Sequence, residues 1–147
     1  MAESSADEHY AKLQRMYLSA EANRLDAPEM RITRGSCELS MAIRSVHFHS
    51  AGTVHGSVVF RLLDDSAYFA AASLERNFFL LTTEFSIHFV RPANRDRLRA
   101  VGKILYRTHR ITVAESKVFD YKDRLVATGS GSFISSQKPL DERLGYA

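Results

Sequence analysis

Near residue 77 the chain passes from a long helical period to a period of two that it keeps to residue 136, and that change leaves few architectures open. From residue 55 to about 75, Val58, Val59, Leu62, Leu63, Ala67, Ala70 and Leu74 form one broad apolar stripe at helical spacing, and Ala70-Ala71-Ala72 adds helix propensity. Beyond Asn77 the period is two: Thr83, Phe85, Ile87 and Phe89 alternate with Thr82, Glu84, Ser86 and His88 until Pro92 stops the run. Leu98, Ala100, Ile104 and Tyr106 resume the alternation, Thr108-His109 turns into a strand over 111–120, and Tyr121-Lys122-Asp123 turns into a last strand over 124–136. A long apolar helix followed by an antiparallel meander must bury its stripe on one sheet face, so the predicted class is α+β with the helix across the concave face.

Upstream, Tyr10, Leu13, Met16, Tyr17 and Ala20 predict an amphipathic helix over 7–24, within an N-terminal helical segment, 1–30, that ends near Asp26-Ala27-Pro28. From Gly35 the alternation of Cys37, Leu39, Met41 and Ile43 with Glu38, Ser40, Ala42 and Arg44 predicts a strand, and residues 45–54 a loop. The polar end, 137–147, is expected to be a mobile tail. With no repeat or linker in 147 residues, one domain over 1–147 is expected, large enough to bury a core without disulfides.

The lone Cys37 excludes an internal disulfide and suits a reducing compartment, so a cytoplasmic location is expected. Residues 1–9 are acidic and small where a secretory signal would be basic and then apolar. Apolar runs such as 78–81 fall far short of the ~20 residues that cross a bilayer, so no membrane partner is expected. A formal charge of +3 permits an anionic ligand, yet the arginines lack interleaved aromatics for stacking bases, and no nucleic-acid partner is expected.

The stretch Thr53-Val54-His55-Gly56-Ser57-Val58-Val59-Phe60-Arg61-Leu62-Leu63-Asp64, together with TTEFSIHFVRPA at 82–93 and a hairpin over 107–126, resembles the PaaI-like and 4-hydroxybenzoyl-CoA thioesterase superfamily. Three blocks agree in order and spacing, with an acid nine residues after the histidine. The resemblance implies a hotdog fold, an antiparallel sheet wrapped around one long central helix, and hydrolysis of an acyl-CoA thioester with water and no cofactor. It implies Asp64 as catalytic carboxylate, with Gly56, His49 and His55 beside it. It also implies a homodimer, paired again into a tetramer, in which Gly56 and His49 of one subunit face Asp64 of the other. Three positions depart from the family pattern: Ser57 replaces a second glycine, His49 an Asn or Gln, and Tyr68 a Ser or Thr.

Thioester hydrolysis requires a carboxylate that attacks or activates water, and N–H donors aimed at the developing oxyanion. A helix beginning near His55 would offer the first-turn N–H groups of Gly56 and Ser57, with the positive end of its dipole. Asp64, amid Leu62, Leu63 and Ala67, is costly to bury without a use, whereas the bland alternative puts Asp64 and Asp65 on a wet face; the family spacing selects Asp64. His47, His49 and His55 are each compatible with a structural role, and without an i, i+4 pair no metal site is expected. No Gly-x-Ser-x-Gly elbow is present, and Gly129-Ser130-Gly131 reads as a close backbone approach or bulge. Arg91 and Arg95 belong to an arginine cluster that is either a solvated face or, as the resemblance implies, a CoA phosphate contact. Phe60, Tyr68 and Phe85 line either an apolar acyl pocket or the core. The rival functions are a non-catalytic acyl-CoA-binding hotdog module and a hotdog hydratase or dehydratase acting on acyl thioesters, whose Asp-x-x-x-x-His pattern is not evident.

Overall fold

The structure, a computed structural model, describes residues 2–147, with side chains from Ser5 onward. Met1, part of the expected N-terminal helical segment, lies outside the described residues. In chain order the elements are α1 (Ala2–Ser19), α2 (Glu21–Asp26), β1 (Glu29–Thr33), β2 (Ser36–Ala42), α3 (Gly56–Ala72), β3 (Phe78–Phe89), β4 (Arg97–Arg107), β5 (Thr112–Phe119) and β6 (Leu125–Pro139). The strands form one six-stranded sheet in the order β1-β2-β4-β5-β6-β3, every neighbouring pair antiparallel. This is the α+β arrangement expected, with the helix stripe as its centre.

The sheet curves around α3, which packs on β2, β4, β5 and β6. Val59, Leu62, Leu63, Ala67 and Ala70 are buried there, and burying a leucine stabilises the fold by about 1.5–3 kcal/mol. The close approach depends on Gly102 of β4, where a Cβ would stand 2.1 Å from the Ser66 carbonyl oxygen. On β6 the Gly129-Ser130-Gly131 segment is a close approach too: the Phe85 ring of β3 lies across both glycines, and a Cβ at Gly131 would meet it at 2.3 Å. Phe85 also meets Phe60 edge-on at 5.7 Å.

Three expectations are corrected. The N-terminal helix is broken at Ala20, whose ψ of 130° is extended, and α2 ends at Ala27 in the left-handed region (φ 42°). Strand β1 was not foreseen: Met30 and Ile32 do alternate with the exposed Glu29, Arg31 and Thr33, but a run of five residues is too short to stand out beside the expected helical segment. The polar end is docked rather than free: β6 runs to Pro139, and the Tyr146 hydroxyl donates to His9 Nδ1 at 2.8 Å while His9 Nε2 donates to the Ala72 carbonyl that ends α3. Among the described residues no helix is long and apolar enough to cross a membrane.

Candidate active site

Asp64 sits in the middle of α3 on the side that faces β3, half-buried, and the Thr82 hydroxyl donates to its Oδ1 at 2.9 Å. Burial pushes its carboxyl above the usual carboxylate range, and the Thr82 hydrogen bond offsets part of that rise. The pair stands at the rim of a cavity of about 310 Å³ whose walls include Tyr68, Phe69, Phe79 and Leu81 and, from the N-terminal helices, Met16 and Ala20. Thr82 was not singled out from sequence. Its polar position in the β3 alternation was visible, but only the fold of β3 against α3 sets it beside Asp64.

Tyr68, one turn beyond Asp64, lines the same cavity with its ring edge-on to Phe69 and Phe133, and its hydroxyl accepts from the Leu80 N–H at 3.1 Å. Asp65 points about 100° around the helix from Asp64, as consecutive residues must. There it accepts the Tyr17 hydroxyl of α1 at 2.7 Å and lies 3.9 Å from Arg61 Nε. Burial pushes Asp65 up to about 6 against that hydrogen bond. Asp65 is therefore a partly buried structural carboxylate, not a solvated one.

At the start of α3, His55 is the N-cap: its Nδ1 accepts the Ser57 N–H at 3.0 Å and the Ser57 hydroxyl at 2.7 Å. The expectation of two free donors is thereby reduced to one, because the cap occupies Ser57. The Gly56 N–H has no hydrogen-bond partner among the described residues. It borders a second cavity of about 330 Å³, shared with His49, Val54, Phe89 and Arg91. A Cβ at position 56 would come within 3.3 Å of the Phe89 ring, so glycine leaves this entrance open.

His49 is held in its own loop: Nδ1 accepts the Ala51 N–H at 3.0 Å, which leaves Nε2 to donate to Thr53 Oγ1 at 2.7 Å. Its ring centre is 6.4 Å from that of His55. His47 is structural, accepting the Arg44 N–H and donating to Asp26 at 2.9 Å. Arg91 reaches the Leu125 carbonyl at 3.4 Å from the second cavity, whereas Arg95 lies over the Tyr121 ring, 5.3 Å from its centre, and borders neither cavity.

Within one chain the predicted residues thus fall into two groups on one helix. His49, Gly56 and Arg91 gather at its start; Asp64 and Tyr68, joined by Thr82, which was not among the predicted residues, gather from eight residues on, about 12 Å along the axis.

The sequence matches the model of the Thioesterase superfamily over residues 51–127, just over half the chain. A protein of Sulfurisphaera tokodaii, whose name assigns it provisionally as an esterase, is 26% identical over 101 residues, covering 69% of this chain and 75% of that one. Among solved structures, the E. coli PaaI protein from the phenylacetic acid degradation operon superposes with a TM-score of 0.82 at 15% identity, covering 91% of this chain and 97% of that one. A thioesterase family protein from Silicibacter pomeroyi superposes with a TM-score of 0.79 at 23% identity, covering 86% and 97%. The likeness of these two structures is one of fold. Central helix, wrapped sheet and sequence match agree, and the chain belongs to the Thioesterase superfamily with the hotdog fold of PaaI.

Proposed function

We propose that the protein hydrolyses an acyl-CoA thioester to the free acid and CoA, at a site shared by two copies of the chain. The observation that carries this reading is Asp64: a half-buried carboxylate, raised by burial and held by Thr82, at the rim of an apolar cavity. A group so placed serves as base or nucleophile near neutral pH. Asp64 either draws a proton from water, which forms the new C–O bond, or attacks the acyl carbon itself to give a mixed anhydride that water then hydrolyses to the free acid and the regenerated carboxylate. In both routes the C–S bond breaks, and CoA leaves as a thiolate that takes up a proton.

The carbonyl oxygen needs a donor, and the Gly56 N–H at the positive end of α3 supplies one. It is two turns too far from Asp64 in the same chain. Strand β3 is a sheet edge of 12 residues with Leu81 and Phe89 exposed, at 48% and 59%, and unprotected edges of this kind pair with another chain. Antiparallel pairing of two β3 edges sets the two α3 helices side by side in opposite directions, so that Gly56 and His49 of one subunit approach Asp64 of its partner. Two such dimers pair into a tetramer. Arg91, at the Gly56 cavity, meets the CoA phosphates, with Arg95 further along the same loop. His55 and Ser57 act by fixing the helix start, and the reaction belongs in the cytoplasm.

The test is CoA release by purified protein across aryl and alkyl acyl-CoAs, beside Asp64→Asn. Turnover by the wild type and a loss of at least ~100-fold in the variant are expected. Binding of acyl-CoA without turnover by either protein would replace catalysis with the sensor reading.

A further inference from the structure

The acyl cavity is closed by a part of the chain outside the matched segment 51–127, namely the junction of α1 and α2. We propose that Met16 and Ala20 at this junction set the acyl selectivity, favouring aryl and medium-length alkyl groups over both acetyl and long chains. This rests on the thioesterase reading.

A thioester whose carbonyl lies at Asp64 must send its acyl group somewhere, and the opening at Asp64 and Thr82 leads between Phe79 and Leu81 on one side and Met16 and Ala20 on the other. These side chains reward each buried methylene by about fourfold in kcat/KM, so acetyl, which barely enters, is a poor substrate. At about 310 Å³ the cavity lies at the small end of ligand pockets. Its far wall is fixed: Tyr17 is tied to Asp65 at 2.7 Å, and Asn23 Nδ2 donates to the Tyr17 carbonyl at 2.9 Å across the α1–α2 break. A long acyl chain would have to displace that wall. Ala20 is exposed at the cavity rim, so a larger side chain there enters the cavity without disturbing the core, whereas Met16 is buried in the wall.

The experiment measures kcat/KM for acetyl-, hexanoyl-, phenylacetyl- and dodecanoyl-CoA with wild type, Ala20→Phe, Ala20→Leu and Met16→Ala. The expected result is a fall of at least tenfold in the hexanoyl-to-acetyl ratio for Ala20→Phe, a smaller fall for Ala20→Leu, and a rise in the dodecanoyl-to-hexanoyl ratio for Met16→Ala. Ratios within twofold of wild type in folded Ala20→Phe and Ala20→Leu would overturn the proposal. If the wild type turns over no acyl-CoA, the thioesterase reading fails separately. The comparison is then made by calorimetry of hexanoyl-CoA against CoA: a tenfold weaker preference for hexanoyl-CoA in Ala20→Phe supports the inference, and an unchanged preference overturns it.

Discussion

The Tyr17 hydroxyl of α1 donates a 2.7 Å hydrogen bond to Asp65 of α3, so the two adjacent carboxylates of the central helix are committed to different partners, Asp65 to the N-terminal helix and Asp64 to Thr82. Both carboxylates border the cavity, but that division ties Asp65 to its α1 wall and sets Asp64 beside Thr82 of β3.

Asp65 also carries a pH signature. Its folded value of about 6 lies above the ~3.9 of an unfolded aspartate. A carboxyl raised on folding stabilises the fold fully below the unfolded value, and that contribution is lost as pH rises to the folded one. Unfolding free energy from urea melts should therefore fall between about pH 4 and 6, by on the order of 1–3 kcal/mol from this group. Asp65→Asn keeps an acceptor for Tyr17 and should flatten that window.

Asp26 behaves in the opposite sense. Its side chain is 9% exposed, and burial would raise it, but hydrogen bonds from His47, Arg61 and Arg44 together hold its carboxyl well below the usual range. Its contribution is present above about pH 4 and lost as pH falls through the folded value. Asp26→Asn leaves the Arg61 guanidinium, whose Nε and Nη2 are already buried without a hydrogen bond, short of its charge partner. A loss of about 2–4 kcal/mol at pH 7, shrinking toward pH 3, is expected in urea melts.

Thr82→Val keeps the shape of the side chain and removes the donor to Asp64. Because that donor favours the carboxylate, its loss should move the acidic limb of the kcat/KM profile to higher pH and lower activity at pH 6 by roughly tenfold. Thr82→Ser should restore both; an unmoved limb in the Val variant would show that Thr82 does not tune Asp64.

A lysine in place of Phe89 puts charge on the exposed edge of β3. Light scattering should give a dimer or larger assembly for the wild type and a shift toward monomer for Phe89→Lys, with association weakened by ~100-fold or more. A monomeric wild type would dissolve the shared-site proposal.

The periodicity of residues 55–136 was enough to read the α3 stripe, the strands that follow it and the α+β class, because burial on one face writes itself into local spacing, but not the full strand order: only β4, β5 and β6 form a meander, and β3 crosses to pair with β6. The helix start at His55 was legible because the Ser57 N–H it caps lies two residues on along the same helix, whereas Asp64 was picked out by the resemblance of its fingerprint to the thioesterase pattern. Strand β1 was hidden because the alternation of Met30 and Ile32 with exposed neighbours runs for only five residues, and the docking of Tyr146 on His9 spans 137 residues that no local pattern links. Thr82 beside Asp64, Tyr17 on Asp65, and Met16 at the cavity wall likewise belong to the fold alone. Period and spacing report which way a side chain faces within its own element, whereas which element it then meets depends on how the sheet curls around α3, a property of all six strands together.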